Sequence, residues 1–284
     1  MNPTLSHEHP WTLGIVSNCW KSQLDAGIEL DVLVDESRRR GFRVIELRQG
    51  SLGKYEFGAM ALPRPDRLAE LQSRFASVRF NMAMSLPCLG GEMTRRTPLF
   101  VAGRAAACSL ARGGQPHLRL VDLETQPSQR PELTVGYTAR ALVELTESLI
   151  EVHGVLSIEN SKQPWPWFRS VFDEARRRLG ENAMRLRICF DPCNLLLTEC
   201  PDDVSDIVAS ISPDDVSMIH VKQRRDGQIL PDVSAGDLDW HAFLYVLQEH
   251  GHTAPVLFEV APHADVWQHL ENGVCHLFDG VVPV

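Results

Sequence analysis

The sequence lacks long apolar runs and a regular cysteine pattern. Nowhere do about 18 apolar residues follow one another, which is the length that a membrane-spanning helix needs, and segment 1–10 is polar and lacks the apolar stretch of a signal peptide. The seven cysteines are odd in number and irregularly spaced, so we predict reduced thiols rather than a disulfide framework. We therefore expect a soluble, cytoplasmic protein with no membrane partner, whose residues 1–10 form a flexible N-terminal segment.

The chain is also short of basic residues. It has 28 Lys and Arg against 37 Asp and Glu, which gives a formal net charge of −9. Because binding to a phosphate backbone depends on clustered Lys and Arg, we expect no nucleic-acid partner. The chain has 284 residues, of which 44% are hydrophobic, so it can bury a large core. This length suits one α/β barrel, which commonly needs about 250 residues, and we predict a single domain over 1–284.

Eight short apolar runs bounded by turn residues predict strands, and helix-period segments lie between them. The predicted strands are residues 13–17, 43–47, 79–84, 118–123, 155–158, 187–190, 217–221 and 256–260. The predicted helices include 31–40, 66–75, 98–112, 135–152, 165–179, 202–211 and 240–250. Strand and helix alternating eight times predict a (β/α)8 TIM barrel, with a doubly wound open sheet as the alternative.

Four of the predicted strands, all in the second half, are followed by or end in a residue that can hold a divalent metal. These residues are Glu159, Asp191, His220 and Glu259. A single such residue is more often a cap or a turn residue. Four in succession are typical of parallel strands that deliver ligands to one end of a barrel, so the pattern indicates a metal-dependent enzyme.

The motifs around these residues resemble those of a known family. They read S-I-E-N at 157–160, F-D-P-C-N at 190–194, I-H-V-K at 219–222, G-D-L-D-W at 236–240 and F-E-V at 258–260. Their order and spacing are similar to the xylose isomerase-like TIM-barrel superfamily, which includes sugar isomerases and epimerases. In the first half, the resemblance rests on the spacing of the predicted strands and on V-I-E-L at 44–47, which is similar to the family's second strand. The resemblance implies one divalent metal held by Glu159, Asp191, His220 and Glu259.

The resemblance also implies a reaction. Three carboxylates and one imidazole suit Mn²⁺, Mg²⁺ or Co²⁺, with Zn²⁺ less favoured. Glu159 and Glu259 are implied as catalytic groups that abstract and return a proton beside the carbonyl of a small sugar or polyhydroxy ketone, through an enediolate. The expected protein is an isomerase or epimerase. A dehydratase or lyase that uses the same site is the first alternative, and a catalytically inactive binding or partner subunit is the second. Whether the chain forms a homo-oligomer is left open.

Four further residues are candidates for binding the sugar or polyol substrate. Lys222 matches the family's His-x-Lys pattern, and Asn194 stands where the family often has a histidine, so it can hydrogen-bond a hydroxyl but cannot act as an acid. Glu46 either approaches the substrate or bonds neighbouring backbone. Arg224, beside Arg225, forms either a clamp for phosphate or carboxylate or a part of a solvated loop. Whether the substrate is phosphorylated is left open.

Three cysteines near the sixth predicted strand raise a second metal hypothesis. Cys189, Cys193 and Cys200 have the spacing Cys-x3-Cys-x6-Cys, but no second set of ligands accompanies them. We therefore interpret them as packing residues.

Overall fold

The computed structural model describes residues 11–130, 132–199, 203–234 and 236–278. Segment 1–10, which we predict to be flexible, and Cys200 lie outside these residues. Eight parallel strands form a closed barrel, because the first strand pairs with both the second and the last. The TIM barrel is thus confirmed, and the open sheet is wrong. The barrel strands are β1 (Leu13–Val16), β2 (Val44–Arg48), β3 (Arg79–Ser85), β4 (His117–Val121), β5 (Val155–Glu159), β6 (Leu186–Phe190), β7 (Val216–Val221) and β8 (Val256–Phe258).

A main helix follows each strand, and several of the helices begin at a residue that favours a helix start. Pro65 and Pro98 occupy the first turns of two helices, where the missing N–H leaves no hydrogen bond unmade. Thr134 and Asp239 cap two others, since their side chains accept hydrogen bonds from first-turn N–H groups. The helices are α1 (Leu30–Arg39), α2 (Pro65–Arg74), α3 (Pro98–Leu110), α4 (Val135–Ile150), α5 (Trp165–Leu179), α6 (Asp203–Ser210), α7 (Trp240–Glu249) and α8 (Val266–Phe278).

The predicted boundaries lie within two residues of the observed ones, and the fourth strand shows a physical cause for one difference. The fourth strand, predicted over 118–123, runs over His117–Val121. It ends there because the Asp122 carboxylate accepts the N–H groups of Leu89, Glu124 and Thr125, which turns the chain away from the ladder. The predicted set also lacks α8, whose Val266, Leu270 and Val274 are buried at four-residue spacing.

The apolar core is divided by the barrel wall. Most buried apolar side chains form one large cluster, while Val16, Val44, Cys189, Met218 and Leu257 form a small one of their own. Alternation along the strands turns the small cluster inward, together with charged residues of the same strands. The barrel interior is therefore largely polar towards the carboxyl ends of the strands. No helix among the residues with a described structure is long and apolar enough to cross a membrane.

Candidate metal centre

The four strand-end residues meet at the carboxyl end of the barrel. Glu159 ends β5, Asp191 follows β6 directly, His220 lies near the end of β7, and Glu259 follows β8. All four side chains are buried, and each offers one ligand atom within 4.8 Å of the others. Parallel strands in register account for this arrangement, since their carboxyl ends share one rim.

Two potential metal-ligand atoms in this cluster make no hydrogen bond among the described residues. They are the oxygen Oδ2 of Asp191 and the nitrogen Nδ1 of His220, both of which are buried, and the oxygen has the Lys222 ammonium beside it as an ion-pair partner. Nδ1 lies 3.3 Å from Glu259 Oε2, 3.7 Å from Glu159 Oε1 and 4.0 Å from Asp191 Oδ2. Buried polar atoms without hydrogen bonds are costly, and a divalent cation would satisfy an imidazole and carboxylates together. The donor set therefore fits a divalent metal.

The electrostatics of the cluster also favour an added cation. Burial and the neighbouring Glu159 and Glu259 raise the pKa of Asp191 to about 6, although Lys222 opposes them. Burial disfavours a charged His220, yet the surrounding carboxylates outweigh it and raise the pKa of the imidazole well above its usual range. The proton on His220 thus supplies positive charge that a metal would replace, since metal ligands bind deprotonated.

Three basic and amide side chains hold Glu259 in place. Arg48 Nη1 lies 2.8 Å from Glu259 Oε1, and Asn18 Nδ2 donates to the same oxygen at 3.2 Å. Lys222 Nζ lies 3.2 Å from Glu259 Oε2 and 2.5 Å from Asp191 Oδ2. Burial would raise the pKa of Glu259, but Lys222, His220 and Arg48 hold it well below its usual range. Glu259 is therefore kept ionised.

A charged layer lies directly beneath the four residues. Arg119 of β4 is fully buried and forms ion pairs with Glu46 of β2 and, at 2.7 Å, with Glu159 Oε2. Glu46 also accepts a hydrogen bond from Asn81 at 2.6 Å and lies 3.3 Å from His220 Nε2. Burial alone would raise the pKa of Glu159, but Arg119 and His220 lower it. Glu46 thus supports two of the four residues from below and does not line the cavity above them.

Arg119, Arg48 and Asn18 are not among the site residues that the sequence predicts. The strand H-L-R-L-V at 117–121 carries a signal for Arg119, because its polar residues alternate with apolar ones and would share one face. In a closed barrel that face points inward, where a charge needs a partner. Arg48 shares the face of Glu46 by the same alternation.

Asn194 and Cys189 contact the cluster in different ways. Asn194 Nδ2 donates to Glu159 Oε1 at 3.1 Å, and its backbone N–H donates to Asp191 Oδ1 at 3.0 Å, so Asn194 ties two candidate ligands together. Cys189 Sγ lies 3.3 Å from His220 Nε2, and Glu159, Cys189 and His220 form a second group that could hold a metal. Burial raises the pKa of the Cys189 thiol to about 12, which disfavours the thiolate. The set with Asp191 and Glu259 is the better donor set.

A cavity of about 420 Å³ opens above the cluster, a size typical of small-molecule sites. Glu159, Glu259, Asn194, Lys222 and Arg224 line it, so most of the predicted site residues are brought to one place. The remaining wall combines basic and amide groups with apolar side chains, among them Asn18, Arg48, Lys162, Leu123, Leu197 and Ile229. Arg224 enters from the loop after β7 and donates to Gly227 O at 2.8 Å, while its Nε is buried without a partner among the described residues.

Comparisons with solved structures show the same fold at low identity. An IOLI protein with a bound zinc atom is 13% identical, with a TM-score of 0.70 over 96% of this chain and 100% of that chain. A D-tagatose 3-epimerase-like protein is 14% identical, with a TM-score of 0.64 over 95% and 100%. A D-allulose 3-epimerase from Methylomonas sp., in complex with D-allulose, is 14% identical, with a TM-score of 0.60 over 96% and 92%. The chain has no match among curated proteins.

The family comparison is more specific than these structural likenesses. The family model described as xylose isomerase-like TIM barrel matches residues 104–272, which is more than half of the chain. The matched segment contains all four residues of the cluster and Arg119. The chain therefore belongs to the xylose isomerase-like TIM-barrel family.

Proposed function

We propose that this protein is a divalent-metal-dependent isomerase or epimerase that acts on a small sugar or polyhydroxy ketone. The observation that carries the proposal is the convergence of Glu159, Asp191, His220 and Glu259 on one volume. Among the described residues, Asp191 Oδ2 and His220 Nδ1 make no hydrogen bond there, and Asp191 Oδ2 is balanced by its ion pair with Lys222. These four residues would hold the metal. The D-allulose complex of a structural neighbour supports a sugar as the substrate class.

The two glutamates are suited to moving a proton between them. Both are buried, both line the cavity and both have a lowered pKa, so they are ionised at neutral pH and free to accept a proton. Such carboxylates are weak bases, and a carbon acid next to a ketone is a weak acid. A bound divalent cation would supply the missing driving force by stabilising negative charge on the substrate oxygens.

Ion pairs and hydrogen bonds orient both glutamate side chains. Arg119 and Asn194 hold Glu159, while Arg48 and Asn18 hold Glu259. Each glutamate can therefore face one side of a planar carbon, which is what reprotonation on the opposite face requires. Glu46 acts in this proposal through Arg119 and His220, as a positioning residue, and not by touching the substrate.

The basic wall of the cavity favours substrates with hydroxyl or anionic groups. Lys222 contacts Asp191 and Glu259, so we assign it to the reacting end of the substrate. Arg224 and Lys162 line the outer part, where a terminal hydroxyl, carboxylate or phosphate would lie. The expected ligand is one small polyol, and nucleic acid is not expected.

Incubation of the Mn²⁺-loaded protein with ketoses and ketose phosphates in D₂O tests the proposal. We expect deuterium to enter one carbon of a product that keeps the formula of the substrate, seen by NMR and mass spectrometry. Glu159→Gln and Glu259→Gln should retain the fold and lose the exchange. A product that has lost water would make the protein a dehydratase instead. Absence of exchange and of water loss, in a protein that binds sugar, would identify a binding subunit.

A further inference from the structure

The barrel has a second cavity, of about 590 Å³, at the end opposite to the metal centre. Its wall includes Val44, Arg79, His117 and Val155, which are the first residues of β2, β3, β4 and β5. It therefore opens at the amino end of the barrel. No residue of this cavity lines the cavity above the metal centre.

Basic side chains line the second cavity. Arg79, Arg112, Arg187 and His117 line it, and no Asp or Glu does so in the described part of the chain. None of the three arginines has an ion pair or a side-chain hydrogen bond within the described ranges, and Arg187 Nε is buried without a partner. A buried guanidinium nitrogen without an acceptor is costly, so this wall is suited to an anion that accepts hydrogen bonds from it.

Neutralisation of helix ends does not explain these arginines. Helices of a TIM barrel end at its amino face, where basic side chains can bond the last carbonyls. Arg43 does so by donating to Arg38 O at 2.9 Å, and Arg185 donates to His153 O, in the turn after α4, at 3.1 Å. Arg79 and Arg187 donate to no carbonyl in the part of the chain that the structure describes, so their donors are available.

Polar side chains extend the wall into the barrel. His117 Nε2 lies 2.7 Å from Ser157 Oγ, which donates to Ser217 Oγ at 2.8 Å. Burial, with Arg79 and Arg187, lowers the pKa of His117 to about 4, so the ring is neutral at pH 7. The positive charge in the cavity therefore comes from the arginines. The Ser157 hydroxyl donates to Ser217 and the Ser217 hydroxyl donates to Ile188 O, so His117 Nε2–H donates to Ser157. Nδ1 of the neutral ring is left as an acceptor for a phosphate hydroxyl group.

We propose that this cavity binds a phosphate ion, or the phosphate group of a small monoester, between Arg79, Arg187 and His117. Guanidinium forks match the paired oxygens of a phosphate, and the absence of carboxylates from the described wall excludes a metal cation as the occupant. The volume exceeds what phosphate alone needs and falls in the range of small-molecule sites.

The test follows the His117 ring signal by NMR while inorganic phosphate is added to the full-length protein at constant ionic strength, with chloride as the replaced ion. The signal is assigned by its loss in His117→Gln. We expect a saturable shift, weakened at least about tenfold in Arg79→Gln and in Arg187→Gln, because each removes a charge-assisted contact. Arg67→Gln, on the surface of α2, and Arg224→Gln, at the metal end, should leave the shift unchanged.

A fold control and a second ligand accompany the titration. Arg79 is exposed at the cavity mouth, so Arg79→Gln should not unfold the protein, which the thermal midpoint checks. Glycerol 3-phosphate, titrated in parallel, separates the two sources, since binding of both ligands indicates a monoester site and binding of phosphate alone indicates a free ion. A His117 signal that does not move, or that moves with unchanged affinity in both arginine variants, would overturn the proposal.

Discussion

Arg119→Met would leave two buried carboxylates, those of Glu46 and Glu159, without the cation that they share. Removal of one partner from a buried ion pair costs about 3–5 kcal/mol, because the other charge stays buried. Glu46 keeps its hydrogen bond from Asn81, and Glu159 keeps the one from Asn194, so the lower end of that range applies. Methionine fills a similar volume, which limits any added cost from a cavity. We expect a loss of about 3 kcal/mol in the metal-free protein.

Urea unfolding at pH 7 with a chelator present measures this loss, and Glu46→Gln completes a double-mutant cycle. The double variant Glu46→Gln/Arg119→Met removes both charges of the pair. Its loss should be smaller than the sum of the single losses by at least about 1 kcal/mol. Additive losses, or a change below about 0.5 kcal/mol for Arg119→Met, would refute the view that this buried pair supports the site.

Two further predictions concern titration and charge. The pKa of His117 is about 4 in the folded protein against 6.5 in the unfolded chain, so the unfolded chain binds more protons between these values. Stability should therefore fall by about 2–3 kcal/mol as pH drops from 6.5 to 4, and His117→Gln should remove this part of the pH dependence in urea titrations. Lys222→Met removes an ammonium 2.5 Å from Asp191 Oδ2, so calorimetry should show Mn²⁺ affinity rising about tenfold, while a lower affinity would contradict the assigned charge balance.

The barrel and the convergence of the four candidate metal ligands are predictable from the sequence because both depend on strand ends. Apolar runs at regular spacing give parallel strands, and the residue after each run reaches the common rim, as Glu159 and Asp191 do. The prediction needed no knowledge of how distant strands pair. The family resemblance then supplied the roles that we propose for these residues.

The layer below was not predictable in this way. Alternating polar and apolar residues, as in H-L-R-L-V at 117–121, usually indicate a strand with one face in water. Barrel closure turns that face inward, and Arg119 then meets Glu46 from two strands away. From the sequence, Glu46 is expected either to contact the substrate or to bond neighbouring backbone. In the structure its partners are side chains of β3, β4 and β7. Such pairings depend on register across the barrel, which local patterns do not encode.

Calorimetric titration of the chelator-treated protein with Mn²⁺ tests the central claim most directly. We predict one Mn²⁺ per chain, with affinity reduced at least about a hundredfold in Asp191→Asn and in His220→Gln. Asp173→Asn, on the exposed face of α5, should bind as the unchanged protein does. Absence of binding, or equal affinity in all variants, would contradict the assignment of Glu159, Asp191, His220 and Glu259 as a metal centre.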